Sequence, residues 1–450
     1  MLFNVLSVFN TVGDTTKEIL FGPVLEFLKN WWWLILPFAL RKPFLYLWRW
    51  WRFERWLRVV FKPILFEIKI PKEILKPIRA MEDVMTSLHA IVYHPPDWWE
   101  NWIEGQAQTS LGFEIVSIEG KIRFFVRVHK DYEEAVHAAI YSQYPDVEIT
   151  AVDDYTKAVP QDIPNKDWDL WASDYVLLKA DAYPILTYKK FETGEERKEE
   201  KRIDPMASLL ESLARIGPGE QFWVQISASP VAEQAGTPKW DWIEKGKQLR
   251  NKLAKRESTT AGASQRPIVL DAIDFLISGQ PPEELKKPER EYFFPPEMKL
   301  TPGEREIVAA VEEKISKPGF DTGIRFIYLA KRENFVKAKL RLAFTFFGSF
   351  KTEHLNTLVP YGKTLTKIHK SWFLPINLLR SRRMYLRQRK VFRNYVSRVG
   401  PFFPRGGGSF ILNTEELASL FHFPSWIVAP VPGVARVEAK KKAPPELPKE

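Results

Sequence analysis

From Ile64 onward, strand-like and helix-like stretches follow one another in a fixed order, and that order limits the fold more than any other property of the sequence. Ile64 to Ile70 has the apolar alternation of a strand and is stopped by Pro71. Ala80 to Tyr93 has helical spacing, with Met81, Val84, Met85, Leu88 and Val92 on one face. Phe113 to Ile118 and Lys121 to Val128 read as two strands joined at Glu119-Gly120, a short hairpin signal. Tyr132 to Tyr144 is a helix with Val136, Ala139, Ile140 and Gln143 in register, and Val147 to Val152 is a further strand. The resulting order, βαββαβ, predicts a ferredoxin-like unit over residues 63–160, two helices on one face of a four-stranded antiparallel sheet.

The order partly recurs over residues 170–360. Tyr175 to Ala180 reads as a strand, Asp204 and Pro205 cap and open a helix over Met206 to Ile216, and Gln221 to Ser227 is the next strand. Ile324-Arg325-Phe326-Ile327 echoes Ile122-Arg123-Phe124-Phe125, and a helix is expected over Asn334 to Phe347. The second unit carries a helical insertion at 232–319, with a charged helix at Trp240 to Lys255, a linker at Glu257 to Gln265 and a short helix at Val269 to Ile277. A further helix is opened by Thr301 and Glu304, which are spaced as a capping box. The expected class is therefore α+β, with an N-terminal membrane helix followed by tandem ferredoxin-like domains. Residues 361–436 form a basic C-terminal region with a short strand and helix, and 437–450 a Lys/Pro-rich tail.

Residues 1–62 read as a membrane anchor. Ile19 to Leu40 is long enough at about 1.5 Å per residue to cross a hydrocarbon core of roughly 30 Å, although Glu26, Lys29, Pro23 and Pro37 interrupt it. A single spanning helix and an interfacial or re-entrant one both fit. Trp31, Trp32 and Trp33 close the apolar run, and Trp48, Arg49, Trp50, Trp51, Arg52 and Trp56 follow as an aromatic and basic collar. Indole rings favour the headgroup layer, and neighbouring cations meet anionic lipid there. The bland reading is a solvated helix face. Basic residues after the segment place residues 41–450 in the cytoplasm, at the inner membrane.

The net charge of +10 is uneven: +5 over residues 1–62 (9 basic, 4 acidic), +12 over 351–450 (18 and 6), and so 10 − 17 = −7 between them. The basic excess of the C-terminal region centres on Arg380, Arg382, Arg383, Arg387, Arg389, Lys390, Arg393 and Arg398, interleaved with Tyr385, Phe392 and Tyr395. Such a run can neutralise phosphates while rings stack on bases, and it equally suits docking on a protein or on lipid. Absence of Cys excludes thiolate zinc sites, disulfides and cysteine nucleophiles. Gly362-Lys363-Thr364 lacks the earlier glycine and feeding strand of a phosphate-binding loop, since position 357 is Thr. The glycines at 406–408 lack a matching Lys and a parallel strand, and Asp153-Asp154 and Asp167/Asp169 read as loop acids with no companion His. No enzyme and no cofactor are expected.

Several phrases together carry a resemblance. Phe66-Glu67-Ile68-Lys69-Ile70-Pro71, Phe113-Glu114-Ile115-Val116-Ser117, Ile140-Tyr141-Ser142-Gln143-Tyr144-Pro145, Gly219-Glu220-Gln221-Phe222-Trp223 and Leu412-Asn413-Thr414-Glu415-Glu416-Leu417 with Phe421-His422-Phe423-Pro424 are among them. With these, most of residues 30–445 resembles the membrane-anchored, non-motor region of bacterial type IV secretion or conjugation-type proteins. The resemblance implies an adaptor, assembled as a homo-oligomer with a DNA-pumping ATPase of the HerA/FtsK or VirD4/VirB4-like type. ATPase activity is not implied, because the nucleotide-holding residues are missing from this chain.

Overall fold

A computed structural model describes residues 30, 33, 36–71, 76–192, 204–232, 239–254, 300–368, 379–402, 406–424 and 434. Two compact units emerge: one made by 1–62 with 96–107, the other by 63–95 with 108–450.

Among the described residues the first unit contains the helix α1 at residues 36–59 and a short π-helical turn at Glu100–Glu104. Among the described residues no helix is long and apolar enough to cross a membrane. Most of the expected span, Ile19 to Leu40, lies outside the described residues, as do Trp31 and Trp32 of the collar.

The second unit is built on one nine-stranded sheet. Its elements are β1 (Pro63–Lys69), α2 (Ile78–Val92), β2 (Leu111–Ile118), β3 (Lys121–His129), α3 (Glu133–Gln143) and β4 (Glu148–Val152). They continue with β5 (Trp168–Leu177), α4 (Tyr188–Glu192), α5 (Pro205–Ala214), β6 (Glu220–Pro230), α6 (Trp242–Leu253), α7 (Pro302–Ile315) and β7 (Gly319–Lys331). The last are α8 (Arg341–Gly348), β8 (Leu358–Pro360), α9 (Arg380–Val396), β9 (Phe410–Asn413) and α10 (Thr414–Leu420). The strand order is β4-β1-β3-β2-β6-β7-β5-β8, with β9 added to β7, and every named pairing is antiparallel. The echoed phrases fall on β3 and β7, each the third strand of its half. The halves meet where β2 and β6 pair from Leu111↔Ala228 to Ile118↔Gln221.

Alternation along the strands supplies two apolar faces. Phe66, Phe113, Phe124, Phe222, Val224 and Phe326 point to one side, where α2, α3, α5, α8 and α10 cover them in one large core. Leu65, Val116, Phe125, Trp223 and Ile327 point to the other, under α9 and residues 155–163. The sheet is therefore buried on both sides, which explains why its strands carry near-continuous apolar runs.

Local chemistry sets several boundaries. Gly120, at φ 82°, turns the β2–β3 hairpin, where a Cβ would press on the carbonyls of Ala214 and Ile216 at 2.9 Å. Asp204 caps α5 through the Met206 amide at 2.7 Å, and Thr301 with Glu304 forms the expected capping box of α7. The insertion yields α6 and α7, while the linker and the short helix expected at Val269 to Ile277 lie outside the described residues. The helix expected over Asn334 to Phe347 begins late. The Val336 amide donates to the Tyr328 hydroxyl at 3.2 Å, a short 3₁₀ turn over Lys337–Leu340 follows, and the α-helix starts only at Arg341.

Candidate functional site

The basic C-terminal run forms α9, whose apolar side is fixed to the sheet. Val391, Phe392 and Tyr395 are buried, with the Tyr395 ring 5.3 Å from that of Trp223. Gln388 Nε2 donates to the Leu170 carbonyl at 2.7 Å and to Asp169 at 3.0 Å, tying the helix to β5. With that side fixed, 3.6 residues per turn place Arg382, Arg383, Leu386, Lys390 and Arg393 in one stripe, running about 16 Å from end to end. All five are exposed, and none of the four cations pairs with a carboxylate among the described residues. Arg389 lies with its guanidinium 6.0 Å from the centre of the exposed Tyr385 ring.

The other three cations of the run are engaged elsewhere. Arg380 Nε donates to the Ile368 carbonyl at 3.0 Å. Arg387 Nη1 donates to the Leu365 carbonyl at 2.7 Å and reaches those of Gly362 and Lys367 at 3.4 Å. Burial, aided by the neighbouring Arg383 charge, lowers the Arg387 pKa. The 362–367 segment is thus a docked loop, and its Thr364 hydroxyl accepts from the Asp174 amide.

Arg398 is the most enclosed of the set, its side chain 6% exposed. It bonds Glu114 through Nε at 2.8 Å and Nη2 at 3.2 Å, and Asp154 through Nη2 at 3.1 Å and Nη1 at 2.5 Å. Tyr155 donates to Glu114 at 2.7 Å and shares a 2.7 Å bond with Tyr395, and Gln225 donates to Glu114 at 2.9 Å. Burial opposes the Arg398 charge, but Glu114 and Asp154 hold its pKa above the ordinary value. Burial would raise Asp154 as well, yet the hydrogen bond and charge of Arg398 hold it below 3.8. Arg127 is pushed down to about 10 by burial and by the Arg398 charge.

Strand register explains why these groups converge. Glu114 lies opposite Gln225, Gln225 opposite Arg325, and Arg325 opposite Asp174, so one buried polar rung crosses β2, β6, β7 and β5. Arg325 Nε bonds Asp174 at 2.6 Å, and its Nη2 donates to the Val399 carbonyl at 3.2 Å. The end of α9 closes over this rung. Burying it without these partners would cost several kcal/mol per ion, so the Asp154 and Arg398 side chains serve as ties between strands and helix.

The Leu412-to-Pro424 phrase is equally internal. Asn413 and Glu416 form a capping box at the start of α10. The fully enclosed Glu416 also accepts from the Ile185 amide and from Lys314 Nζ. Burial raises the Glu416 pKa against the pull of Lys314.

In the first unit, Trp50 and Trp51 of α1 are exposed, at 38% and 51%, together with Trp33, Phe38, Phe44 and Leu47. Arg52 has its guanidinium 5.6 Å from the Trp51 ring and 5.8 Å from that of Trp48. Trp56 is buried among Phe53 and Phe61, so it belongs to the packing of the unit and not to its outer surface. Trp48 and Arg49 face segment 96–107: Trp48 Nε1 donates to the Trp102 carbonyl at 2.9 Å, Arg49 Nη2 donates to Asn101 Oδ1 at 3.0 Å, and the Arg49 guanidinium lies 5.0 Å from the Trp102 ring centre. Gly105, at φ 78°, lets the segment approach the Arg52 backbone so closely that a Cβ there would collide with it. Sequence reading passed over this segment, although the Trp98-Trp99 pair after Pro95-Pro96 is a visible aromatic signal.

Among the described residues no cluster of three or more His, Asp or Glu side chains is placed to hold a metal ion. Residues 65–429 match the family described as "Domain of unknown function (DUF8128)". The chain belongs to the DUF8128 family. The match runs from within β1 past α10, so it takes in the sheet from Leu65 onward and the basic helix α9 of this DUF8128 member. A comparison with curated proteins found no match.

Proposed function

We propose that this DUF8128 protein is an accessory or docking subunit, without catalysis of its own, that is held at the cytoplasmic face of a bacterial inner membrane and serves a type IV secretion-like or conjugative DNA-translocating ATPase. In this reading residues 1–62 are the anchor and the body lies in the cytoplasm. The observation that carries it is the exposed aromatic surface of α1 with cations among its rings, a combination suited to the headgroup layer. The resemblance of most of the chain to motor-adjacent regions supports the choice of partner. The body is read as two ferredoxin-like units fused side by side. The strand order β4-β1-β3-β2 and its counterpart β8-β5-β7-β6 favour that reading, each half running 4-1-3-2 from its outer edge.

The α9 stripe supports a second reading, a membrane-bound nucleic-acid-binding protein acting without a motor. Four cations that pair with no carboxylate among the described residues, spread along about 16 Å, match phosphate neutralisation. One experiment separates the two. The chain is purified in mild detergent, beside a variant carrying Arg382→Glu, Arg383→Glu, Lys390→Glu and Arg393→Glu. Co-purification of an ATPase that the variant loses supports the adaptor. Tight duplex binding by the isolated protein, with a salt slope reduced by roughly 3 to 4 in the variant and no ATPase retained, supports the second reading. Loss of neither property removes the stripe from both.

A further inference from the structure

Trp98 and Trp99 are 66% and 56% exposed, the most open indoles among the described residues, and their rings lie 6.5 Å apart. They sit on the segment whose Asn101 and Trp102 are fastened to Arg49 and Trp48 of α1, in the same compact unit. Around them the backbone is self-satisfied: the Asp97 amide donates to Glu100 Oε2 at 2.9 Å and the Glu100 amide to Asp97 Oδ1 at 2.8 Å. The tip is thus a short helical turn that projects two adjacent indoles.

Chemistry selects the occupant. A protein groove would bury such rings among side chains, whereas a pair of open indoles in the same compact unit as the exposed Trp50, Trp51 and Phe44 of α1 matches the bilayer interface, where each ring lies in the apolar boundary with its N–H wet. Charge divides the work. The tip carries Asp97, Glu100 and Glu104 and no cation, while α1 carries Arg41, Lys42, Arg49, Arg52, Arg55 and Arg58. Attraction to anionic lipid therefore belongs to the helix, and insertion by apolar area belongs to the tip.

We infer that Trp98 and Trp99 form a second membrane-inserting point, distant in sequence from the N-terminal anchor, that partitions into the headgroup layer of the same bilayer as α1. The inference rests on the membrane reading above. Half of an exposed indole, roughly 50–60 Å², leaving water corresponds to about a tenfold change in partitioning per ring.

Because the chain contains no Cys, a single introduced thiol can be labelled alone. The full chain bearing Trp98→Cys, and separately Trp50→Cys, is coupled to an environment-sensitive fluorophore and mixed with phosphatidylcholine vesicles with and without phosphatidylglycerol. Blue-shifted emission and quenching by bromine-labelled acyl chains at position 98 are expected on both compositions. In unlabelled protein, Trp98→Ser with Trp99→Ser should weaken vesicle binding roughly a hundredfold, and Trp98→Phe with Trp99→Phe should restore much of it. A response at position 50 but not at 98 overturns this inference and leaves the membrane reading standing. No response at either position overturns both, and a response at 98 alone overturns the pairing of the tip with α1 at one bilayer.

Discussion

Replacing Arg398 tests the account of the buried rung most directly. The guanidinium bridges Glu114, which is fully enclosed, and Asp154, whose side chain is 26% exposed. Breaking a buried pair by removing one partner costs about 3–5 kcal/mol, because a charge is left without compensation. Arg398→Met preserves bulk and removes the charge. Asp154 can turn to water, and Glu114 retains its bonds from Tyr155 and Gln225, which places the expected loss at about 3–4 kcal/mol. Changing Glu114→Gln in the same chain removes the stranded charge, so the double variant should recover about 2 kcal/mol or more of that loss. The backbone adds an independent check. Arg398 has φ 53°, a left-handed conformation that costs a non-glycine residue about 1 kcal/mol, so Arg398→Gly should be less damaging than Arg398→Ala by about that amount. Denaturant unfolding of the parent and five variants, Glu114→Gln alone among them, followed by far-ultraviolet circular dichroism in the same detergent, reads all these differences. A loss below about 1 kcal/mol for Arg398→Met, or strict additivity with Glu114→Gln, would refute the reasoning.

Two further predictions concern pH and backbone fit. Asp154 has its pKa held below 3.8, so its pairing contributes stability above that pH and loses it as pH falls through the depressed value; Asp154→Asn should flatten the acid limb of stability, measured as unfolding midpoints between pH 5 and 3. Gly105→Ala forces a Cβ into the Arg52 backbone at a positive φ, a cost of at least about 2 kcal/mol for docking segment 96–107; limited proteolysis should then cut that segment faster while the unfolding of the second unit is unchanged.

Legibility from the sequence followed the range of the interactions involved. Periodicity located β1, α2, the β2–β3 hairpin and α3, because each is settled by neighbours a few residues away. The caps at Asp204 and Thr301 were readable for the same reason. Asn334 failed as a helix start because its side chain bonds the Pro218 carbonyl and the Val336 amide is held by Tyr328, both contacts set by tertiary structure. The Trp168 end of β5 was missed since polar Asp167 and Asp169 look like loop acids, whereas Asp169 in fact meets Gln388. Composition alone grouped eight cations at 380–398, but only the fold divides them. Four face outward, Arg389 lies at the flank on Tyr385, Arg380 and Arg387 hold a loop, and Arg398 sits in the rung. Nothing in local sequence distinguishes Arg398 from Arg393. The difference lies in Glu114, which is 284 residues away.

The pairing of β6 with β7 carries a consequence for how the chain comes into being. β6 ends at Pro230 and β7 begins at Gly319, so the whole insertion must leave the ribosome before β6 can find its second neighbour. At about 5–20 residues per second, that is an interval of several seconds to roughly twenty. During it the edge of β6, with Phe222, Val224 and Ile226 on one side and Trp223 on the other, lies bare beside an already complete first half. Closing so long a loop adds little thermodynamic cost, since the penalty grows only with the logarithm of its length. What the insertion lengthens is the interval in which the newborn protein offers this edge to wrong strand partners, from the point where residue 230 has emerged until residue 331 has followed it.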